Sequence, residues 1–545
     1  MIEIAVVIKN VCKKLFDVDI EPELTRPDEQ FGDYATNIAL RISKQLGKNP
    51  REVAEAIKAE ISSDDIVSLE IAGPGFINIR LTDSVLWELA KIQTGKLASD
   101  MKVVIETNNP NPFKAMHIGH AFNAIIADTI ANLAEYAGAE IHRVSYHGDI
   151  GQHVGRSMYS LLKFVEGNPA KLHTIADAER NSLMSKMYAE GSRAYKEDET
   201  AKAEIDQLAS DSFTREDPVY REVYEVCMDW SFREIDSNVA RLGNKPIEKR
   251  YLESQADALG VQTVKAHTPG VFIENDGAYV FPGSKYGSFD NVFVSSKGRG
   301  LYGARDLGLI QLKHQDFQAQ KSMIVTAEEQ RDYFKGVIKA AELCLPELAG
   351  VTTNISTGTV KLSTGKMSSR DGDVLEIGWL FEQISQAVAQ RGSAASDNIV
   401  TGALRYQFLK ARIGSDVMFD IEESTSLQGN TGPYLQYAHA RARSILAKST
   451  VELEGLTTEL EADERSLLRK VGEYHEVVGK AVSELMPHLV CTYLYELAQT
   501  FNRFYEHNRV IDDPRQSVRL QLVQKYADTL KSGLSILNIS APDHM

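Results

Sequence analysis

The sequence predicts a multi-domain chain that joins α/β and all-α parts: a small α+β N-terminal domain, a parallel-sheet domain and a C-terminal helical domain. Three observations carry this expectation. The 545 residues suit about three or four domains of ordinary size. Strand and helix patterns alternate from Val103 onward, and from Asn398 to the end apolar residues recur almost wholly at helical period.

Composition narrows the class before any motif is read. With 43% hydrophobic residues the chain can bury large cores, and 60 Lys+Arg against 76 Asp+Glu leave a net charge of −16. That acidity argues against indiscriminate binding to nucleic acid, so no DNA partner is expected, yet it leaves room for a selective RNA partner on a basic face. A membrane helix needs about 18 unbroken apolar residues. The most apolar run, Ala121 to Ala134, is interrupted by Asn123, Asp128 and Asn132, so no membrane partner is expected. The N-terminus carries Glu3 and has no signal-peptide or transit-peptide pattern, which makes the cytoplasm the expected location. Cys12, Cys227, Cys344 and Cys491 form no CxxC pair, so neither zinc nor a disulfide framework is expected. No long heptad run is present, and a monomer follows.

In chain order, residues 1–98 show helical patterns at Glu3–Phe16, at Tyr34–Leu46 and after Pro50, then an alternating strand at Phe76–Leu81. Lys96 to Lys102 reads as a linker. Val103–Ile105 is a short strand, NNPNPFKAM a Pro/Asn loop, His117–Ala137 a long helix stopped by Gly138, and Ile141–Tyr146 the next strand. This is a βαβ unit of Rossmann-like type, with a right-handed crossover and a ligand expected at the C-terminal edge of the strands. A charged helical insertion is expected over about residues 157–262, within a domain spanning 101–392. Strands at Ala278–Phe281, Val292–Ser295 and Met323–Thr326 alternate with helices Gly303–Lys313 and Gln330–Leu343. Residues 398–545 form the helical domain.

Two motifs carry chemistry. His117-Ile118-Gly119-His120 stands where the loop becomes the helix, and a helix N-terminus attracts phosphate through its unpaired N–H groups and positive dipole end. Two imidazoles there can both donate to a phosphate, and Gly119 leaves space for a flat base or ribose against the backbone. Far downstream, Lys366-Met367-Ser368-Ser369-Arg370 lies in the Gly/Ser-rich stretch STGKMSSRDGD, where cations could close over a triphosphate. Either motif alone has a bland reading, as helix-capping histidines or solvated loop cations; together on a βαβ entry they point to a nucleotide.

With HIGH intact and KMSKS present as KMSSR, the chain resembles the class I aminoacyl-tRNA synthetases, and the arginyl-tRNA synthetase family in particular. The approach Glu106-Thr107-Asn108-Asn109-Pro110-Asn111-Pro112-Phe113-Lys114-Ala115-Met116 is similar to that family's E-x-S-S-P-N-P-x-K-P-x. Tyr146-His147-Gly148-Asp149-Ile150-Gly151-Gln152 is similar to its strand end, and Asn430 to Arg441 (NTGPYLQYAHAR) to its C-terminal helical domain. Gly402-Ala403-Leu404-Arg405 stands where the name-giving DALR occurs. The departures are Ser369 for the second Lys of KMSKS, Ala115 for Pro and Gly402 for Asp. The family commonly shows the first and is thought to offset it with Lys114.

The resemblance implies an arginine–tRNA ligase: ATP as substrate with Mg2+ carried on it, L-arginine, and tRNA(Arg) as partner. It implies catalytic roles for His117, His120, Lys114 and Lys366, and ATP contacts from Gly119, Met367, Ser368 and Arg370. Tyr302 and Asp306 would hold the guanidinium together with Glu106, while Asn109, Asn111 and Gln330 would hold the α-amino and carboxylate groups. A guanidinium does want a carboxylate for a bidentate bond. Tyr302 and Asp306 are four apart on one helix face, although spacing alone favours an exposed pair of no consequence. Tyr434, Tyr437 and Arg441 recur at helical spacing and could stack RNA bases or simply pack, and Met545 is a further candidate tRNA contact. Leu494, Leu497, Phe501, Phe504 and Tyr505 read as core. His142, His147 and His153 show no ligand spacing, so no metal site is expected. Two rivals remain: another HIGH-type nucleotidyl-transferring enzyme, and a non-catalytic RNA-binding paralogue.

Overall fold

A computed structural model describes residues 2–91, 98–363, 375–391, 396–449 and 458–545. Its centre is a five-stranded sheet whose strands, in chain order, are β1 Lys102–Asn108, β2 Glu140–His147, β3 Lys249–Leu252, β4 Lys321–Ala327 and β5 Thr352–Thr357. They lie in the order β5-β4-β1-β2-β3 and all run parallel. The order reverses between β4 and β1, which opens a crevice at their C-terminal ends, the place where doubly wound sheets bind ligands. Burial on both faces explains why β1 and β4 read as unbroken apolar runs rather than as alternation.

The helix Ile118–Tyr136 crosses from β1 to β2 and is apolar nearly all round, because it is covered by the sheet on one side and by C-terminal helices on the other. Helices Gln152–Val165, Asp177–Glu197, Glu199–Asp211 and Pro218–Arg241 form a separate packed cluster between β2 and β3. The stretch expected as helical insertion, about 157–262, therefore has to be corrected at its end: β3 pairs with β2 as the edge of the main sheet, and the helix Glu253–Ala266 packs on Tyr302–Phe317. Four residues are too short for a strand to announce itself by period.

Two further short strands were masked by the same effect. Tyr34–Thr36, expected as the start of a helix, is a strand between Leu24–Thr25 and Phe76–Leu81 in a four-stranded antiparallel sheet completed by Ile66–Ala72. The helix itself begins at Ile38. Residues after 398 are not wholly helical either, since Val417–Phe419 pairs in parallel with Val360–Leu362. In both cases the partner strand lies far away in sequence, and pairing rather than local propensity decides the conformation.

The parts are joined by buried charge. Arg405, fully buried, donates through Nε to Leu537 O (2.6 Å), through Nη1 to Leu242 O (2.8 Å) and Asn244 Oδ1 (2.7 Å), and through Nη2 to Asp128 Oδ2 (3.0 Å) and Thr129 Oγ1 (3.1 Å). All five guanidinium donors are thus satisfied, by the Ile118 helix, the chain leaving the helical insertion and the C-terminal end of the last helix. The N-terminal domain docks on the C-terminal helices through Arg465, which takes both oxygens of Asp33 (3.0 and 2.8 Å), and through Arg26 on Glu476 (2.6 Å). Gly402 and Gly432 allow two C-terminal helices to touch: a Cβ on Gly432 would stand 2.1 Å from Gly402 O, and one on Gly402 would stand 2.6 Å from Gln436 Oε1.

Arg405→Leu is expected to cost about 3–5 kcal/mol, because it leaves three buried carbonyl acceptors without a donor and takes from buried Asp128 one of its two guanidinium partners, the other being Arg143 at 3.5 Å. Gly402→Asp, which would write the DALR motif back into the chain, is expected to lower stability as well. Denaturant midpoints against the unsubstituted protein check both; an unchanged midpoint for Arg405→Leu would remove this guanidinium from the account of domain docking.

Candidate active site

At the crevice, a cavity of about 530 Å³ is lined by Glu106 of β1, by Asn109 and Asn111 just after it, by Ile324–Thr326 of β4, and by groups from the flanking helices. One wall starts with the loop that leads into the first helix. Phe113 holds a left-handed backbone (φ 65°), which a non-glycine residue adopts only when its surroundings insist. Here they do: its N–H donates to Ser231 Oγ (3.1 Å), its carbonyl accepts from Ser157 Oγ (2.7 Å), and its buried ring packs 5.1 Å from Tyr224. The helical insertion thereby clamps the loop and presents Lys114. Lys114 Nζ has no hydrogen bond or ion pair among the described residues, and burial lowers its proton affinity.

His117 is the N-cap of the Ile118 helix. Its Nδ1 accepts from His120 N (3.3 Å) while His120 Nδ1 accepts from His117 N (3.4 Å), and the two rings stack with centroids 3.5 Å apart. This is a capping box built from two imidazoles. Because both Nδ1 atoms accept, the proton of each neutral ring sits on Nε2, so each offers an N–H donor. Burial keeps them neutral: His117 is pushed down to about 4, with Lys114 adding to the effect, and His120 well below its ordinary value. Gly119 has a local reason, since a Cβ there would press on the His117 ring at 3.2 Å. The backbone beyond residue 374 is tied to the same place, with Ile118 N donating to Leu375 O (2.9 Å) and Ile377 N to Met116 O (3.0 Å). Lys366, Met367, Ser368 and Arg370 themselves lie outside the described residues.

The opposite end of the cavity is acidic. Asp306, four residues into the helix Tyr302–Phe317, accepts a short hydrogen bond from the Tyr333 hydroxyl and has no cationic partner among the described residues. Burial raises its carboxyl to about 7, opposed by the Tyr333 bond and reinforced by Glu253 and Glu106. Glu253 is paired with Arg305 (2.9 Å), and Glu106 with Lys313 (2.6 Å). Tyr302, largely exposed, stands at the mouth, and Gln330 caps the helix Arg331–Cys344 at the rim. Asn109 donates to Glu106 Oε2 (2.7 Å) and accepts from Tyr146 N (2.9 Å); Asn111 accepts from Gly148 N (2.9 Å). Every described residue expected at the amino-acid and nucleotide site thus falls at or beside one cavity.

Glu253, Lys313 and Tyr333 were missed by sequence reasoning. Glu253 follows a four-residue strand, and Lys313 and Tyr333 sit in ordinary amphipathic helices, so no local signal marks them. Asp149, which resembled part of a family motif, is a scaffold: it accepts from Ser254 N (2.9 Å) and Ser254 Oγ (2.6 Å) and so fixes the start of the Glu253 helix. His147 Nδ1 donates to Pro110 O (2.5 Å) and its Nε2 accepts from Ser145 Oγ (2.9 Å), and His153 Nε2 donates to Gly148 O (2.7 Å). In the C-terminal domain, Tyr434 accepts from Asn502 Nδ2 (2.8 Å) and Arg441 lies 4.6 Å over the Tyr505 ring, whereas Tyr437 presents its ring to solvent. Leu494, Leu497, Phe501 and Phe504 are buried core, with Tyr505 packed against it. Met545 is exposed.

Comparison with known proteins follows this geometry. Residues 3–81 match the arginyl tRNA synthetase N terminal domain, residues 83–419 the class I (R) tRNA synthetase catalytic domain, and residues 435–545 the DALR anticodon binding domain. An arginine–tRNA ligase of Crocosphaera subtropica is 31% identical over 99% of this chain and 97% of its own length. Among solved structures, the Thermus thermophilus arginyl-tRNA synthetase superposes with a TM-score of 0.83 at 22% identity, covering 100% of this chain and 99% of that one. The Plasmodium falciparum enzyme gives 0.80 at 20%, covering 100% and 98%.

Burial also fixes an acid response. His117 and His153 are lowered to about 4 and His147 to about 3, against an ordinary 6.5. The unfolded chain therefore binds protons that the folded one refuses. Through these groups stability should be lost as pH falls from about 6.5 toward 4, by up to about 1.4 kcal/mol per pH unit each, while the carboxyls of Asp306 and Glu234, both raised by burial to about 7, oppose that loss. Urea unfolding at stepped pH measures the net slope, and a slope left unchanged by His147→Asn and His153→Asn would mean that these rings are not held neutral.

Proposed function

The chain belongs to the arginyl-tRNA synthetase family, and from that premise we propose that its cavity activates L-arginine with ATP and passes it to the 3′-terminal adenosine of tRNA(Arg). In the first step a carboxylate oxygen of arginine attacks the α-phosphorus in line and pyrophosphate leaves. In the second, a terminal ribose hydroxyl attacks the adenylate carbonyl and AMP leaves. Both steps ask the protein mainly to position groups and to neutralise charge on phosphate oxygens.

The observation that carries the reading is the polarity of the cavity. Lys114 and His120, the latter stacked on His117 and like it a neutral Nε2–H donor, stand at one end, and a buried carboxylate without a cationic partner among the described residues stands at the other. Phosphate suits the first end and guanidinium the second. Asp306 and Tyr302 are the guanidinium ligands in this reading, with Glu106 at the near side. Asn111 and Gln330 face the amino acid's α-amino and carboxylate groups, with Asn109 behind them. Lys366, Met367, Ser368 and Arg370 act on the phosphates from the second motif, and Gly119 lets the nucleotide approach the helix start.

Magnesium accompanies ATP. The groups at the phosphate end are N–H donors rather than oxygen ligands, so the ion would be held chiefly by the nucleotide's own oxygens, where it offsets their charge. No structural zinc, DNA or membrane enters the reading, and no helix among the described residues is long and apolar enough to cross a membrane. The enzyme acts as a cytoplasmic monomer. Tyr437, Tyr434 and Arg441, with Met545, form the face offered to tRNA, and Tyr437 is the group with a free ring.

Amino-acid-dependent exchange of labelled pyrophosphate into ATP, run with and without tRNA over all twenty amino acids, tests the assignment; exchange with any single amino acid other than arginine overturns it. Asp306→Asn is expected to raise KM for arginine by about two orders of magnitude or more with little change in KM for ATP. His120→Asn should lower the rate of adenylate formation by about 10²–10³, the usual loss for one donor to a developing anion. His117→Asn, which keeps an N-cap acceptor, should do the same with the helix intact.

A further inference from the structure

Lys313 is among the most deeply buried side chains of the molecule, with 1% of its side chain exposed, and it lies on the Tyr302–Phe317 helix seven residues beyond Asp306. At 3.6 residues per turn that is two turns, so both side chains leave the same face about 10 Å apart. Its ammonium donates to Glu106 Oε1 (2.6 Å) from beneath the cavity. Glu106, itself 2% exposed, gives Oε2 to Asn109 Nδ2 (2.7 Å), and Asn109 Oδ1 accepts from Tyr146 N (2.9 Å). One unbroken chain of hydrogen bonds therefore runs from Lys313 to the backbone at the end of β2.

We propose that Lys313 is a positioning residue for substrate binding: it supplies the countercharge of Glu106 from below, so that the substrate's guanidinium has to neutralise Asp306 alone. This rests on the arginine reading of the cavity. The groups that face Asp306 are Glu106 from β1, Tyr146 from β2, Glu253 from its own helix, Tyr333 from the helix after β4, and Lys313 from the helix that carries Asp306, on which Arg305 is its neighbour in the chain. Arg305 is committed to Glu253 (2.9 Å) and Asp257 (3.2 Å), and Lys313 to Glu106, which leaves Asp306 with a phenol. A ligand that brings one side-chain cation completes the balance. A neutral isostere of arginine leaves a buried carboxylate unpaired, and discrimination follows from that cost.

The pair also fixes geometry. With Oε1 taken by an ammonium that cannot accept, the orientation of the Asn109 amide is settled: its NH₂ faces Glu106 and its oxygen faces Tyr146 N. Without Lys313, Glu106 would be a buried carboxylate lacking a countercharge, and either it or Asp306 would hold a proton that arginine has to displace.

Lys313→Gln keeps a donor to Glu106 and removes the charge, and Lys313→Arg keeps the charge. The expected result is a several-fold rise in KM for arginine in Lys313→Gln, with KM for ATP unchanged. Calorimetry at about pH 8 in two buffers of different ionisation heat should show several times more protons released on arginine binding by Lys313→Gln than by the unsubstituted protein. Lys313→Arg should restore both values toward the original. Equal proton release in Lys313→Gln and the unsubstituted protein overturns the proposal. If neither variant folds, infrared difference spectra of the unsubstituted protein with and without arginine at about pH 6 decide the matter: loss of one protonated-carboxyl band, absent in Asp306→Asn, supports the proposal, and loss of a second band overturns it. Failure of the arginine reading would look different, because the unsubstituted protein would then show no arginine-dependent heat at all.

Discussion

The architecture depends on one guanidinium. Arg405 lies where the Ile118 helix, the chain returning from the helical insertion and the end of the last helix meet, and its five N–H groups find five oxygens. Such a group is costly to bury and becomes tolerable only when every donor is paired, so the three segments must arrive together or not at all. Because Asp128 and Thr129 belong to the helix that His117 caps, the C-terminal domain and the histidine end of the cavity share one rigid element. The catalytic cavity and the RNA-facing domain are thus joined through a charged core contact rather than through a flexible tether.

Around that frame the cavity separates charge along its length. The histidine end holds neutral donors whose tautomer is dictated by their own capping hydrogen bonds, while the acidic end keeps one carboxylate without a cation among the described residues. Phe113 shows how the two halves are brought into register: its left-handed backbone is tolerated because two serines from the insertion take its N–H and carbonyl. The insertion is a clamp on the loop that carries Lys114, a task its Glu- and Lys-rich composition does not disclose.

Much of this was legible beforehand. The long crossover helix, β1 with its neighbours and the two sequence motifs stand out because they are long, strongly periodic or chemically unusual. The helical patterns of the C-terminal domain announce their core in the same way, as Leu494, Leu497, Phe501 and Phe504 do. What was misread is short: Tyr34–Thr36, Lys249–Leu252 and Val417–Phe419 are strands because a distant partner pairs with them. Three or four residues span only one or two strand periods, too few for alternation to stand out locally. Tyr434 and Arg441 illustrate another limit, since helical spacing put them on one face without revealing that Asn502 and Tyr505 already occupy them.

The chain alone determined that two imidazoles start the helix after the first sheet strand, and that a carboxylate and a phenol stand four apart on a later helix, because those facts live in residue type and spacing. It also determined that an arginine stands at position 405 in a family motif. Only the tertiary structure decided that this arginine is wholly buried with every donor used, that Lys313 answers Glu106, and that Asp306 has a phenol and no cation beside it among the described residues. Partnership between charges depends on which segments meet in space, and burial sets how strongly each charge is felt; neither is encoded within any window short enough to read along the chain.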